Sequence, residues 1–228
     1  MIKENIEKIK KIVDSTCQDE NRKNTITLVA VSKTKPVEQL MEAYNSGQRI
    51  FGENKVQELC KKQEVMPKDI EWHMIGHLQR NKVKYLVPFV SLIHSVDSLR
   101  LAEEISKEAS KIGRTIPILI EVNIAREESK HGLFEEDVVN VIENIAKLPY
   151  VSIQGLMTIA PFTEKPEENR IYFKKMYQLY VDIQNKNIHN VDMKILSMGM
   201  TNDYEVAIRE GSTMIRVGTG IFGDREIL

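Results

Sequence analysis

The stretch Ile26-Thr27-Leu28-Val29-Ala30-Val31-Ser32-Lys33-Thr34-Lys35-Pro36 runs from an uncharged, β-branched segment into a lysine and then a proline. The apolar run from Ile26 to Val31 suits a strand buried on both faces. Lys33 then stands at the carboxyl end of that strand. Pro36 fits the first turn of a helix, where a missing N–H costs nothing, and Val37, Leu40, Met41 and Tyr44 follow at helical spacing before Gly47 closes the segment. Strand, lysine-bearing loop and helix together read as one unit of an α/β fold.

The same unit recurs along the chain. Ahead of it, Ile2, Ile6, Ile9 and Val13 predict an amphipathic helix over residues 2–17 that covers one end of the core. Behind it, Arg49-Ile50-Phe51-Gly52 predicts a second strand, followed by a helix carrying Val56, Leu59 and Cys60. Ile70-Glu71-Trp72-His73-Met74-Ile75-Gly76 predicts a third strand, with a helix over 78–87 stopped by Pro88. Ser91-Leu92-Ile93-His94-Ser95-Val96 reads as the fourth strand, and Asp97 or Ser98 caps a helix whose Ala102, Ile105, Ala109 and Ile112 mark a buried face. The fifth strand covers 116–124, and a helix with Phe134, Val138, Val141, Ile142 and Ile145 on one face follows it. Strand six covers 151–159. A helix over 167–187 has Tyr172, Met176, Tyr180 and Ile183 as its inner stripe. Met193-Lys194-Ile195-Leu196-Ser197-Met198, a helix over 204–210 and Met214-Ile215-Arg216-Val217 complete the series. Eight strand-helix units imply parallel strands with right-handed crossovers, and that number favours a closed (β/α)8 TIM barrel, one domain over 1–228 with an extra N-terminal helix.

Composition limits what such a barrel does. The 228 residues leave no room for a second domain of useful size. A net charge of −1, without a concentrated basic cluster, argues against nucleic acid and anionic membranes as partners. Cys17 and Cys60 are far apart and fit reduced thiols in a cytoplasmic protein. The N-terminus mixes charge throughout, unlike a signal peptide, and no stretch is long and apolar enough to span a bilayer. His73 and His77 are four apart, but Gly76 lies between them at a strand end, so they do not form a helical metal pair, and no metal site is expected. Glu53 and Glu58 have no identified proton to move and receive no role.

Barrel enzymes and binders place their chemistry on the loops after the strands. Two of these loops are rich in glycine: Met198-Gly199-Met200-Thr201-Asn202-Asp203 and Val217-Gly218-Thr219-Gly220-Ile221-Phe222-Gly223. Each alone reads as a tight turn. Side by side after strands seven and eight, they equally suit a phosphate cup of close-approaching backbone and hydroxyl donors. Closure of the barrel brings Lys33, after strand one, next to strand eight. That geometry suits a phosphorylated aldehyde or ketone held as a Schiff base, with pyridoxal 5′-phosphate (PLP) the obvious candidate. Neutralising an unperturbed lysine for such an attack costs about 4.6 kcal/mol at pH 7, which partial burial reduces.

The motifs Ala30-Val31-Ser32-Lys33, Phe51-Gly52-Glu53-Asn54, Trp72-His73-Met74-Ile75-Gly76-His77-Leu78-Gln79, Gly155-Leu156-Met157, Leu196-Ser197-Met198-Gly199-Met200 and Arg216-Val217-Gly218-Thr219 resemble the pyridoxal phosphate homeostasis protein family, nearly end to end and in order. The resemblance implies a barrel like the N-terminal domain of bacterial alanine racemase with PLP on Lys33. It implies that Asn54 lies near the cofactor ring, that Thr201, Gly218 and Thr219 hold the phosphate, with Met198 and Gly199 in the same cofactor-binding set, and that Arg216 faces the pyridine nitrogen. The family more often has serine where Thr201 stands. An arginine at the ring nitrogen keeps its own proton and leaves the ring a weak electron sink. The racemases' second domain, with its tyrosine acid/base, has no counterpart in 228 residues. The expectation is therefore a non-catalytic carrier that buffers PLP or delivers it to PLP-dependent apo-enzymes, as a monomer or weak homodimer. The competing readings are a PLP enzyme acting on amino acids and, with only the lysine behind it, a Schiff-base aldolase.

Overall fold

The computed structural model describes residues 1–20, 22 and 25–223. Helix α1 (Ile2–Asp19) precedes β1 (Thr27–Val31), α2 (Val37–Asn45), β2 (Ile50–Glu53), α3 (Val56–Val65), β3 (Glu71–Met74), α4 (Val83–Leu86) and β4 (Leu92–Val96). Then come α5 (Leu99–Ser110), β5 (Ile116–Glu121), α6 (Glu135–Ile145), β6 (Val151–Met157), α7 (Arg170–Asn185), β7 (Val191–Ser197), α8 (Tyr204–Arg209), β8 (Met214–Val217) and α9 (Thr219–Phe222). The eight strands close in sequence order, all parallel, and β8 returns to β1 with Val29 opposite Arg216 and Ala30 opposite Val217. This is the expected (β/α)8 barrel with an N-terminal helix. Residues 224–228 of the expected domain lie outside the described residues.

Strand alternation sorts side chains into two layers. Val29, Leu92, Leu119, Met157 and Met214 point inward and fill the bottom of the barrel. Their neighbours Ala30, Ile93, Ile118, Leu156, Ile215 and Val217 point outward to the helices, where most of the apolar core lies. Helix α1 buries Ile2, Ile6, Ile9 and Val13 against α2, α8 and α9. Asn5 Nδ2 donates to the Ile221 carbonyl at 2.9 Å, and the Ile2 N–H donates to Glu42 Oε1 at 3.0 Å. The N-terminal helix thus bridges the first and last units of the ring.

Several expected details shift. The helix over 78–87 is a 3₁₀ turn, Arg80–Lys82, running into the single turn of α4, because the polar run 79–82 offers no apolar face until Val83. Strand five ends at Glu121, and only Val122 continues it, as an isolated bridge to Leu133. Phe134 is the residue before α6 rather than on its inner face and is 43% exposed, with Arg126 over its ring at 5.1 Å. Ile112 lies past the end of α5 and is exposed. In α7 the fully buried aromatic is Phe173, with Tyr172 only partly covered, since the 3₁₀ turn Pro166–Asn169 sets the helix's starting phase. Among the described residues, no helix is long and apolar enough to cross a membrane.

Candidate functional site at the barrel mouth

The alternation along β1 aims the lysine. Val29 belongs to the inner layer, Val31 and Lys33 line a cleft at the barrel mouth, and Ala30 and Ser32 face outward. Ser32 Oγ donates to Glu53 Oε1 at 2.6 Å, and the Thr34 N–H donates to Glu58 Oε1 at 2.6 Å. Lys62 Nζ, on α3, joins these contacts by donating to the Ser32 carbonyl, Glu53 Oε1 and Glu58 Oε1, each at 2.7 Å. Both residues flanking Lys33 are therefore tied to one buried cation. Thr34 adopts φ 63°, costly for a β-branched residue, and the Glu58 contact holds it there. Burial pushes the Glu53 carboxyl up, against the pull of Lys62 and Ser32. Lys35 is directed elsewhere, its Nζ donating to the carbonyls of Phe222 and Gly223 at 3.2 and 3.0 Å.

The cleft has a volume of about 450 Å³. Lys33, Asn54, Arg216, Gly199, Thr201, Gly218 and Thr219 all line it. Thr219 Oγ1 lies 3.1 Å from Thr201 Oγ1, which also accepts the Gly220 N–H at 3.2 Å. Two hydroxyls and two glycine-bearing turns thus meet, as the phosphate-cup reading requires. Asp203 shapes the first turn by accepting the Met200 N–H at 2.7 Å and Asn169 Nδ2 at 2.8 Å. Gly199 has φ +94°, and a Cβ there would stand 2.6 Å from Ala207 Cβ, so only glycine fits. Met198 does not join the cleft. It follows Ser197, which points inward, so its side chain is buried among the outward, helix-facing residues, and its N–H donates to the Met214 carbonyl.

Arg216 is buried beneath the cleft, its Nη1 donating to Ser197 Oγ at 2.6 Å and its Nη2 to the Thr158 carbonyl at 2.8 Å. Burial lowers its pKa to about 10, opposed by Asp203 and Glu121, so it stays charged at neutral pH. Ser197 Oγ is 3.1 Å from His94 Nδ1, and His94 Nε2 is 3.0 Å from His73 Nδ1. Burial drags His73 down to about 3 and His94 well below its usual value, so both rings are neutral. The donors then run one way: arginine to serine, serine to His94, His94 to His73. This polar layer sits over the apolar inner layer. Ser197, His94 and Lys62 were not singled out from sequence, since each acts through a contact between distant strands or helices. The signal that existed was Glu58 and Lys62 at i, i+4 on one helix.

A family model described as the alanine racemase N-terminal domain matches residues 1–226. The pyridoxal phosphate homeostasis protein of Aquifex aeolicus is 44% identical over 225 residues, 98% of each chain. The chain belongs to the pyridoxal phosphate homeostasis protein family. Among solved structures, PipY of Synechococcus elongatus with PLP bound superposes with a TM-score of 0.85 at 34% identity, covering 98% of this chain and all of that one. The alanine racemase of Clostridium difficile shares the fold, with a TM-score of 0.70 at 14% identity, and this chain covers only 56% of it. The Aquifex aeolicus relative thus matches this barrel at full length, whereas the racemase extends well beyond it.

Proposed function

We propose that this chain is a non-catalytic, cytoplasmic PLP carrier, a single barrel domain over 1–228, that holds the cofactor covalently on Lys33 and buffers it or delivers it to PLP-dependent apo-enzymes. PLP supplies an aldehyde that condenses with an amine, a pyridine nitrogen and a phosphate dianion. The residues present fit these groups. The convergence of Lys33, the Thr201/Thr219 hydroxyl pair and Arg216 on one cleft carries the reading. Buried Asn54 Oδ1 has no hydrogen-bond partner and lines the same cleft, so it offers an unused acceptor to a ring hydroxyl. Thr201, Gly218, Thr219 and Gly199 would receive the phosphate, and Arg216, kept cationic, would donate to the ring nitrogen without protonating it. Met198 supports the turn from behind. PLP bound to PipY, at 34% identity, supports PLP as the ligand.

The test is borohydride reduction of the PLP-loaded protein followed by peptide mapping. The adduct is expected on Lys33, and Lys33→Ala should lose the visible absorbance of the bound cofactor. An adduct on Lys35, whose amine is engaged with Phe222 and Gly223, would overturn the assignment.

A further inference from the structure

A second recess, of about 180 Å³, adjoins the PLP cleft and shares Asn54, Ile75, Lys130 and Ile159 with it. His77 and His131, from the loops after β3 and β5, line it, and Asp97, after β4, stands beside them. His77 Nδ1 is 3.4 Å from Asp97 Oδ2, and the His77 and His131 rings stack with centroids 3.9 Å apart. One ligand atom from each of the three lies within 4.8 Å of the others. Glu121, the last residue of β5, lines the same recess. It is 6% exposed, and its Oε2 has no hydrogen-bond partner. A buried carboxylate oxygen without a donor is costly and calls for a cation or a proton.

We propose that His77, Asp97 and His131 form a site for a first-row divalent metal ion, zinc above all, with Glu121 as the buried carboxylate on its inner side. Two imidazoles and a carboxylate are the donors that zinc and its neighbours prefer, whereas magnesium and calcium take oxygen. Ligands about 2.1 Å from a tetrahedral ion stand about 3.4 Å from one another. The His77–Asp97 separation already has that value, and His131, exposed and within 4.8 Å, would have to turn out of its stack with His77 to join them. The sequence carries no metal motif because the three ligands come from three separate loops. The ion would also screen Asp97 from Glu121, two carboxylates close enough to repel. It would pin three loops at the rim of the cleft.

The full chain, cleared of metal by a chelator and of PLP, which itself coordinates zinc, is titrated with ZnCl₂ at pH 7.5 by equilibrium dialysis with metal analysis. One zinc per chain is expected, and His77→Ala or His131→Ala should weaken it at least about 10-fold. Both side chains are exposed, so the melting temperature in chelator should be unchanged. Glu121→Gln, which keeps the shape and removes the charge, should weaken zinc as well. No zinc uptake, uptake unaffected by the two histidine variants, or uptake lost only in Cys17→Ser or Cys60→Ser would each overturn the proposal. Because zinc is read without PLP, the result is independent of the Lys33 assignment.

Discussion

Lys62 is a buried amine whose three acceptors all belong to the frame of Lys33. Removing one partner of a buried ion pair leaves the other uncompensated, so Lys62→Met should cost about 3–5 kcal/mol in urea unfolding. A Lys62→Met/Glu53→Leu double variant removes both charges and should regain much of that stability. Its PLP retention should nonetheless stay below wild type, because Ser32 loses both Glu53 and Lys62 and the Glu58 that holds Thr34 loses its cation. Full retention in the double variant would show that the network does not position Lys33. At the phosphate cup, Thr201→Ala should weaken PLP by about 1–2 kcal/mol, one lost hydrogen bond to a charged group, and leave pyridoxal nearly unaffected. Thr201→Ser, which keeps the hydroxyl, should bind PLP like wild type; equal losses for both ligands in Thr201→Ala would place the phosphate elsewhere. Lys33 was legible in the sequence because an apolar run, a lysine and a proline are consecutive. Lys62 was not, since its bond to Ser32 spans 30 residues.

At the scale of an element, β6 bends where its register with β5 and β7 shifts, and Gly155 stands at the shift with φ +149°. A Cβ there would lie 1.7 Å from the Ile195 carbonyl oxygen on β7, a backbone atom that cannot step aside. Gly155→Ala should therefore cost about 3 kcal/mol or more, through strain and a parted ladder. A melting temperature within about 2 °C of wild type would contradict that reading, since 1 kcal/mol shifts a chain of this size by about 2–4 °C. The strands were readable because burial on both faces demands unbroken apolar runs. Helix phase was less so. Phe134 and Tyr172 sit at helix entrances, where one residue of 3₁₀ or extended backbone turns a side chain by about 100°, and hydrophobic spacing alone does not locate that step.

Over the whole molecule, the neutral histidines of the polar layer couple stability to acidity. His73 has a folded pKa of about 3 against about 6.5 unfolded, and burial, His73 and Arg216 hold His94 well below its usual value. Below pH 6.5 the unfolded chain takes up protons that the fold refuses. Stability is therefore complete above that pH and falls through the window from 6.5 toward 3. Each histidine contributes a slope of about 1.4 kcal/mol per pH unit, so the pair costs about 4 kcal/mol between pH 7.5 and 5, offset in part by Glu121, whose pKa raised to about 7 lets the fold take up a proton in the same window. Urea midpoints across this range check it, and a His73→Gln/His94→Gln variant should lose the slope. A wild-type profile no steeper than that of the variant would mean that the layer is hydrated or charged.

Barrel closure joins Val29 to Arg216, and the same seam separates the two halves of the cofactor site along the chain. On the ribosome, Lys33 emerges 183 residues before Arg216. At bacterial and eukaryotic synthesis rates of about 5–20 residues per second, that interval is about 10–40 s. During it the nascent chain carries the reactive amine but neither the arginine nor the glycine turn that follows β8. On the proposed function, tight cofactor capture would wait for β8, and a chain stalled before it would draw little PLP from the cell's pool.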